Sequence, residues 1–449
     1  MARPGRRRPE DGLQALGDEI SRSVRPRTVA NQRGLSELGD QVSAASVRSR
    51  RRRRSGKPRW SLTRKLVTAG ASLVVVVAAI AGGGYAYVRY QFDHVRKGAC
   101  HACVHVAVGR PYNLLIVGSD SRSGDTGQAA TSFGTAMAVG GQRSDTIKIF
   151  HIDPAAGTVR VLSIPRDTYV TTSGLAASTG LQGPEKINAA FNNGPESLIE
   201  TIQNTFGIPI SHWIVINFDG VIDSVRALGG ITLDFRYPVR DDDDGVNQSG
   251  LQITQTGCQQ LNGAQVLSLS RSRYYEYDEG GRWQLDPGYD LSRILRQNIV
   301  IEAMIAKAKS TYDPLTLQSL ISSVKGDIAI DDKLSLGMIY DLVERYHAFS
   351  PSQLQTRSLP TVPQRGTPAG DVELVATGPS DDYVDTITHF LGAAPGPTIT
   401  PPLDRGGDPI VVPTATSTAV APSTTPAGSR ATTPSTVPTA LPVYDPTLC

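Results

Sequence analysis

The sequence predicts an α/β fold, a central mixed β-sheet flanked by helices, preceded by a single transmembrane helix, and three observations predict it. Residues 66–88, LVTAGASLVVVVAAIAGGGYAYV, carry no charge over 23 positions. Between 108 and 393, short β-branched runs alternate with stretches of helical periodicity. Several of those runs are nearly continuously apolar, the pattern of strands covered on both faces.

The apolar stretch comes first. At 1.5 Å rise per residue it is long enough for a hydrocarbon core of roughly 30 Å, and it lacks the polar stripe of a buried core helix. Arg50 to Arg54, Lys57, Arg59, Arg64 and Lys65 precede it, whereas only Arg89, Arg96 and Lys97 follow closely. The positive-inside rule therefore puts the N-terminus in the cytoplasm and residues 89–449 outside, on a single-pass protein of the cell membrane. A cleaved signal peptide would need a 65-residue n-region, so an uncleaved signal-anchor is the better reading. Residues 1–65, with 18 Lys/Arg against 6 Asp/Glu, read as a disordered cytoplasmic tail whose basic run sets topology and touches anionic lipid. The remainder carries 27 against 36. That split argues against a uniformly basic nucleic-acid binder. No nucleic acid is expected as a partner.

A linker is expected at 89–107 and the one folded domain at 108–393. Strands are expected at Asn113–Val117, Thr146–Ile152, Val159–Ile164, Trp213–Phe218 and Ile231–Phe235. Glu196–Phe206 follows a proline and opens with an acidic residue, as helices do; Val221–Leu228 is closed by Gly229-Gly230. A longer helix starts near Asp290 and runs to about Lys309. From 394 to 449 the Pro/Thr/Ser/Ala bias predicts a disordered, extended tail. Four cysteines outside the membrane allow three full pairings. A Cys100–Cys103 disulfide, or one of that pair with Cys258, is expected over a metal site, with Cys449 left free.

The chemistry-bearing residues cluster at element ends. Asn113–Ser119 is a strand of buried type that runs into Asp120, and α/β sheets bind ligands at the C-terminal ends of their strands. Arg143-Ser144-Asp145-Thr146 leads into the next strand. Two strand-end carboxylates suit a hard cation such as Mg²⁺, which takes one or two carboxylates plus water and phosphate oxygens, although Asp there is more often a turn or cap residue. Arg166 ends the third strand after Pro165, which breaks the ladder. Arg271 and Arg273, two apart, point to one side of an extended segment. At 100° per residue, Asp290, Arg293, Arg296 and Gln297 share an arc of about 120° near a helix N-terminus that favours anions, while Leu291, Ile294, Leu295 and Ile301 face the core. For any single arginine a solvated salt bridge is the better reading. Six at element ends, with two Asp, suit pyrophosphate, because guanidinium offers bidentate forks and keeps its proton.

In order along the chain, NLLIVGSDSR, RSDTIKIFHIDP, VRVLSIPRDTYV, KINAAF, WIVINFDGVIDSVRALGGITLDF, LNGAQVLSLSRSR and DLSRILRQ cover about 110–392. This series resembles the LytR-CpsA-Psr (LCP) family of bacterial cell-wall glycopolymer ligases, of actinobacterial type. The resemblance implies a transferase that moves a glycopolymer from a polyprenyl-pyrophosphate carrier to a peptidoglycan hydroxyl. It also implies a hydrophobic groove for the lipid and Mg²⁺, with Mn²⁺ as a substitute, bridging the pyrophosphate. Asp120 and Asp145 would hold the metal. Arg143, Arg166, Arg271, Arg273, Arg293 and Arg296 would line the pyrophosphate, with Gln297 as an orienting partner. Asp145, Arg166 and Asp290 are the implied catalytic groups, Asp290 accepting a proton or fixing an arginine.

Some features depart from the family pattern or leave alternatives open. The stretches 123–141 and 274–289 lengthen loops that border the site. Asp241–Asp244 reads as a solvated turn before a Ca²⁺ site. Tyr274, Tyr275, Tyr277 and Trp283 suit sugar stacking and core packing equally. No Ser-His-Asp or Cys-His set is apparent, and phosphoryl transfer needs none, since positioning and charge neutralisation carry it. The alternatives are a hydrolase of the same pyrophosphate and a non-catalytic envelope protein that binds glycans or regulates wall synthesis.

Overall fold

The computed structural model describes residues 82–119, 144–173, 184–310, 314–346, 353–378, 381–410 and 442–449. Asp120, Arg143, the loop 123–141, the N-terminal tail and residues 66–81 of the expected span lie outside them. Residues 82–93 are helical. Among the described residues no helix is long and apolar enough to cross a membrane.

Seven strands form the central sheet: β1 (Arg96–Gly98), β2 (Tyr112–Ser119), β3 (Ser144–Asp153), β4 (Thr158–Ile164), β5 (His212–Ile216), β6 (Ile328–Asp331) and β7 (Gln355–Ser358). Their order is β1-β6-β5-β2-β3-β4-β7. The run β2-β3-β4 is an antiparallel meander, while β5 lies parallel to β2 and β7 parallel to β4. With β6 antiparallel to β5 and parallel to β1, the sheet is mixed, as expected.

The period-2 alternation of these strands sorts core from site. Leu115, Val117, Ile147, Ile149, Leu162 and Ile164 are buried in the main core with Leu198, Ile199, Ile202 and Phe206 of helix α1 (Pro195–Phe206). The intervening positions, Ile116, Gly118, Thr146, Lys148 and Phe150, line a groove on the opposite face. Over that face lie α2 (Phe218–Ala227), α3 (Gly263–Arg271) and α4 (Tyr289–Ser310). The expected strand Trp213–Phe218 stops at Ile216, because the Asn217 side chain accepts from Gly220 N and caps α2 three residues ahead of the expected start. Ile231–Phe235 is a strand, but it belongs to a separate sheet, between Gly257–Leu261 and Thr447–Leu448. The lengthened stretch 274–289 contains the hairpin Tyr275–Asp278 and Trp283–Leu285.

Three expected features differ in the structure. Residues 89–107 are not a free linker: Phe92 and Val95 are buried with Ile330 and Leu334, and β1 adds an edge strand to the sheet. Residues 394–410 and 442–449 are not an extended tail. Gly396 N donates to Gly207 O, Leu403 packs with Tyr169 and Val372, and Thr447–Leu448 completes the separate sheet. The approach at Gly207 is close enough that a Cβ there would stand 2.1 Å from Gly396 O. Finally, Cys449 is not free. It is bonded to Cys258, alongside the expected Cys100–Cys103 bridge.

Candidate functional site

Two cavities share one wall. A narrow polar cleft takes Arg166 and Asp167 from the end of β4, Asp290 from the start of α4, and Glu373 from the strand Gly370–Val375. An apolar groove of about 470 Å³ runs between the sheet and the helices, lined by residues such as Ile116, Phe150, Phe218, Val300, Ile301 and Met304. Asp145, Thr146, Lys148, Arg293 and Gln297 belong to both. A further apolar cavity of about 370 Å³ shares Ile116, Phe150, Ile305 and Ala308 with the groove and extends it to Leu342 and Leu354.

The cleft is an alternating array of charges. Arg166 Nη1 donates to Asp145 Oδ1, and its Nε lies 3.6 Å from Asp167 Oδ2 and 3.8 Å from Asp290 Oδ2. Asp290 also meets Arg273 Nε at 3.2 Å and Arg293 Nη2 at 3.6 Å, and Lys186 Nζ meets Asp167 at 3.3 Å. Burial opposes the charge on Arg166, but its three carboxylates outweigh that and hold it protonated more firmly than usual. Arg293 is lowered, by burial first and then by Arg166. The two guanidiniums thus differ by their neighbours: three carboxylates surround Arg166, whereas Arg293 is buried beside another cation.

Lys148 sits in the shared wall at 2% exposure. Its Nζ donates to Ser163 Oγ and Asn298 Oδ1, neither of them charged. Burial, with Arg293 adding to it, pushes its ammonium down to about 7. Glu373 is the counterpart on the cleft side, its carboxyl pushed up to about 7 by burial.

The expected site residues divide. Asp145, Arg166, Asp290, Arg293 and Gln297 come together at the cleft, and Arg273 joins through Asp290. Arg271 and Arg273 do not share one side of an extended segment. Arg271 is the last residue of α3 and its guanidinium lies over the Phe218 ring at 4.5 Å in the groove; Arg273 leaves in another direction after the cap at Ser272. Asp241 is no solvated turn residue: it is buried, and its Oδ2 accepts from Arg273 N at 3.1 Å and Tyr274 N at 3.3 Å. Gln297 Nε2 donates to Ser270 O, tying α4 to α3.

Arg296 does not line either cavity. At 0% exposure its Nη1 donates to Asp286 Oδ2 at 2.6 Å and Asp445 Oδ1 at 3.0 Å, with the guanidinium 4.3 Å from the Tyr275 ring centroid. It stands at the far edge of the expected polar arc, where two buried carboxylates demand a cation. The aromatic cluster divides as well, with Tyr275 buried and Trp283 exposed under the Arg240 guanidinium.

Sequence reasoning overlooked Lys148, Asp167 and Glu373. Lys148 had a signal, a lone charge inside the apolar run of β3, and Asp167 directly follows Arg166. Glu373 had none, since folding of the hairpin Thr361–Val375 alone brings it to the cleft. Among the described residues no group of three or more His, Cys, Asp or Glu could hold a metal ion. Asp145 does supply a hard oxygen at the junction of the cavities, which fits Mg²⁺ completing its sphere with phosphate oxygens and water.

Residues 89–386 match the LytR_cpsA_psr family. The chain is 33% identical over 224 residues to the probable cell wall biosynthesis protein LcpB of Corynebacterium glutamicum, covering 49% of this chain and 48% of that protein. It is 28% identical over 218 residues to the polyisoprenyl-teichoic acid–peptidoglycan teichoic acid transferase TagV of Bacillus subtilis, covering 48% and 51%. The chain thus spans about half the length of these two curated relatives. Its fold is similar to that of the LytR-Csp2A-Psr enzyme from Actinomyces oris, with a TM-score of 0.51, 20% identity, and coverage of 67% of this chain and 97% of that one.

Proposed function

The chain belongs to the LytR_cpsA_psr family, and from that premise we propose that it is a transferase that moves a glycopolymer from a polyprenyl-pyrophosphate carrier to a peptidoglycan hydroxyl. One observation carries this reading. An apolar groove of about 470 Å³ shares a wall with a charged cleft that holds Arg166 and Arg293, with Asp145, Lys148, Arg293 and Gln297 at the junction. A polyprenyl pyrophosphate has that same division between an apolar chain and an anionic head.

In the proposed reaction the acceptor oxygen attacks the sugar-linked phosphorus. The bond from that phosphorus to the bridging oxygen breaks, and polyprenyl phosphate leaves with the electron pair. Arg166, Arg293 and Lys148 bind the phosphate oxygens, and Arg293 and Lys148, which line both cavities, offset the charge that moves onto the leaving group. Asp145, Asp167 and Asp290 hold Arg166 in place, Asp290 also holds Arg293, and Ser163 and Asn298 hold Lys148. Mg²⁺, or Mn²⁺ in its stead, supplies further charge neutralisation when bound, with Asp145 and Asp120 as its proposed ligands. Residues 66–88 are the proposed membrane span, with the N-terminus in the cytoplasm, keeping the domain beside its lipid-borne donor.

The test uses the full-length protein in detergent with a polyprenyl-pyrophosphate oligosaccharide, Mg²⁺ and peptidoglycan, comparing wild type with Arg166→Ala. Acceptor-dependent release of polyprenyl phosphate, cut by roughly 10²–10³ in the variant, supports the transferase. Release that ignores the acceptor indicates a hydrolase. Donor binding without turnover indicates a binding protein.

A further inference from the structure

The two cavities are not equivalent ends of one channel. Val300, Ile301 and Met304 line only the groove, whereas Arg166, Asp167, Asp290 and Glu373 line only the cleft. With the polyprenyl chain in the groove and the pyrophosphate on the shared wall, the leaving polyprenyl phosphate lies on the groove side. In-line displacement then requires the attacking hydroxyl to arrive from the cleft.

Four carboxyl groups line that side, and three are committed to cations. Asp145 pairs with Arg166, Asp167 with Lys186 and Arg166, and Asp290 with Arg166, Arg273 and Arg293. Glu373 makes no ion pair within 4 Å among the described residues. Its Oε2 is buried without a hydrogen bond of regular geometry there. The backbone fixes its place, since Glu373 N donates to Asp167 O at 2.9 Å and the residue forms an isolated bridge with Thr168.

Resting on the transferase reading above, we infer that Glu373 is the general base that takes the proton of the acceptor hydroxyl as its oxygen bonds to phosphorus. The proton ends on the Glu373 carboxylate, and the electron pair of the broken P–O bond leaves on polyprenyl phosphate. Burial pushes this carboxyl up to about 7, Asp167 and Asp290 add to the rise, and Thr361 and Lys186 oppose it. A base poised near the working pH is the most effective kind.

The experiment compares full-length wild type, Glu373→Gln and Glu373→Asp for acceptor-dependent transfer, for donor Kd, and for kcat/KM from pH 5 to 9. Glu373→Gln should lose about 10²–10⁴-fold in kcat with donor Kd within about twofold of wild type, and Glu373→Asp should recover part of the rate. In wild type, kcat/KM should rise through about pH 7 as Glu373 ionises, and that rising limb should be absent from Glu373→Gln. An unchanged melting temperature or a higher one shows that the variant is folded. Transfer by Glu373→Gln at the wild-type rate, a retained rising limb, or a loss of donor affinity as large as the loss of rate would overturn the assignment alone. Wild-type release that ignores the acceptor overturns the transferase reading and this inference together.

Discussion

Arg296 Nη1 meets Asp445 Oδ1 at 3.0 Å across 149 residues of chain, and neither side chain is exposed. The contact joins the C-terminal segment to the helix that carries Asp290 and Arg293. Asp286 completes it: one carboxylate oxygen accepts from Arg296, and the other accepts from Gly288 N, Ser292 Oγ and Tyr444 Oη at the start of α4. Asp445→Ala should therefore cost about 3 kcal/mol, the scale of removing one partner from a buried ion pair. Urea unfolding of wild type and variant measures it, and a difference below about 1 kcal/mol would mean that Asp286 alone suffices for Arg296.

The two disulfides should contribute unequally. Cys258–Cys449 closes a loop with a sequence separation of 191, whereas Cys100–Cys103 spans a separation of 3. In the chain-entropy view the stabilisation grows with the logarithm of loop length, to about 5 kcal/mol for the long loop and under about 2 for the short one. The melting temperature should accordingly fall further for Cys449→Ser than for the double variant Cys100→Ser/Cys103→Ser.

The groove predicts a dependence on lipid length. Ile301 lines it midway along α4, so Ile301→Lys places an ammonium against apolar surface. KM for a long polyprenyl donor should rise by at least about tenfold, and KM for a donor with a short lipid should stay within about threefold. Equal effects on both donors would place the lipid elsewhere.

Glu373 should also make stability depend on pH. Its folded pKa, about 7, lies above the ordinary value of 4.5. Between these values the native state holds more protons than the unfolded chain, so stability falls as pH rises and the full loss is present above pH 7. Glu373→Gln removes that loss. At pH 8 the variant should be more stable than wild type by up to about 3 kcal/mol, and the gain should vanish below about pH 4.5. Thermal or urea unfolding at pH 4.5 and 8 measures it.

Lys148 predicts the opposite limb of the activity profile. Its ammonium, pushed down to about 7 by burial and Arg293, is the charge lost as pH rises. The groups facing it are Arg293 and Asn298 of α4 and Ser163 of β4. Lys148→Met should lower kcat/KM below pH 7 and abolish its fall above pH 7, while leaving the limb due to Glu373 in place. A retained alkaline fall would assign that limb to another group.

Periodicity and local chemistry by themselves determined strands β2 to β5 of the central sheet, the helices α1, α2 and α4, and the polar ends at Asp145, Arg166 and Asp290. These depend on neighbours in sequence: alternation decides which face of a strand is buried, and a proline or an Asn cap decides where an element starts. Tertiary structure alone decided three further matters. It took Arg296 out of the proposed site, because Asp286 and Asp445 reach it from a hairpin end and from the C-terminal segment. It brought Glu373 to the cleft, through a bridge to Thr168 that is distant in sequence. And it closed the chain's end onto Cys258, although composition there reads as a loose tail. The reason is the same in each case. A buried charge or a sheet edge is stabilised by whichever partner the fold delivers, and the spacing of residues along one segment does not encode what arrives from another.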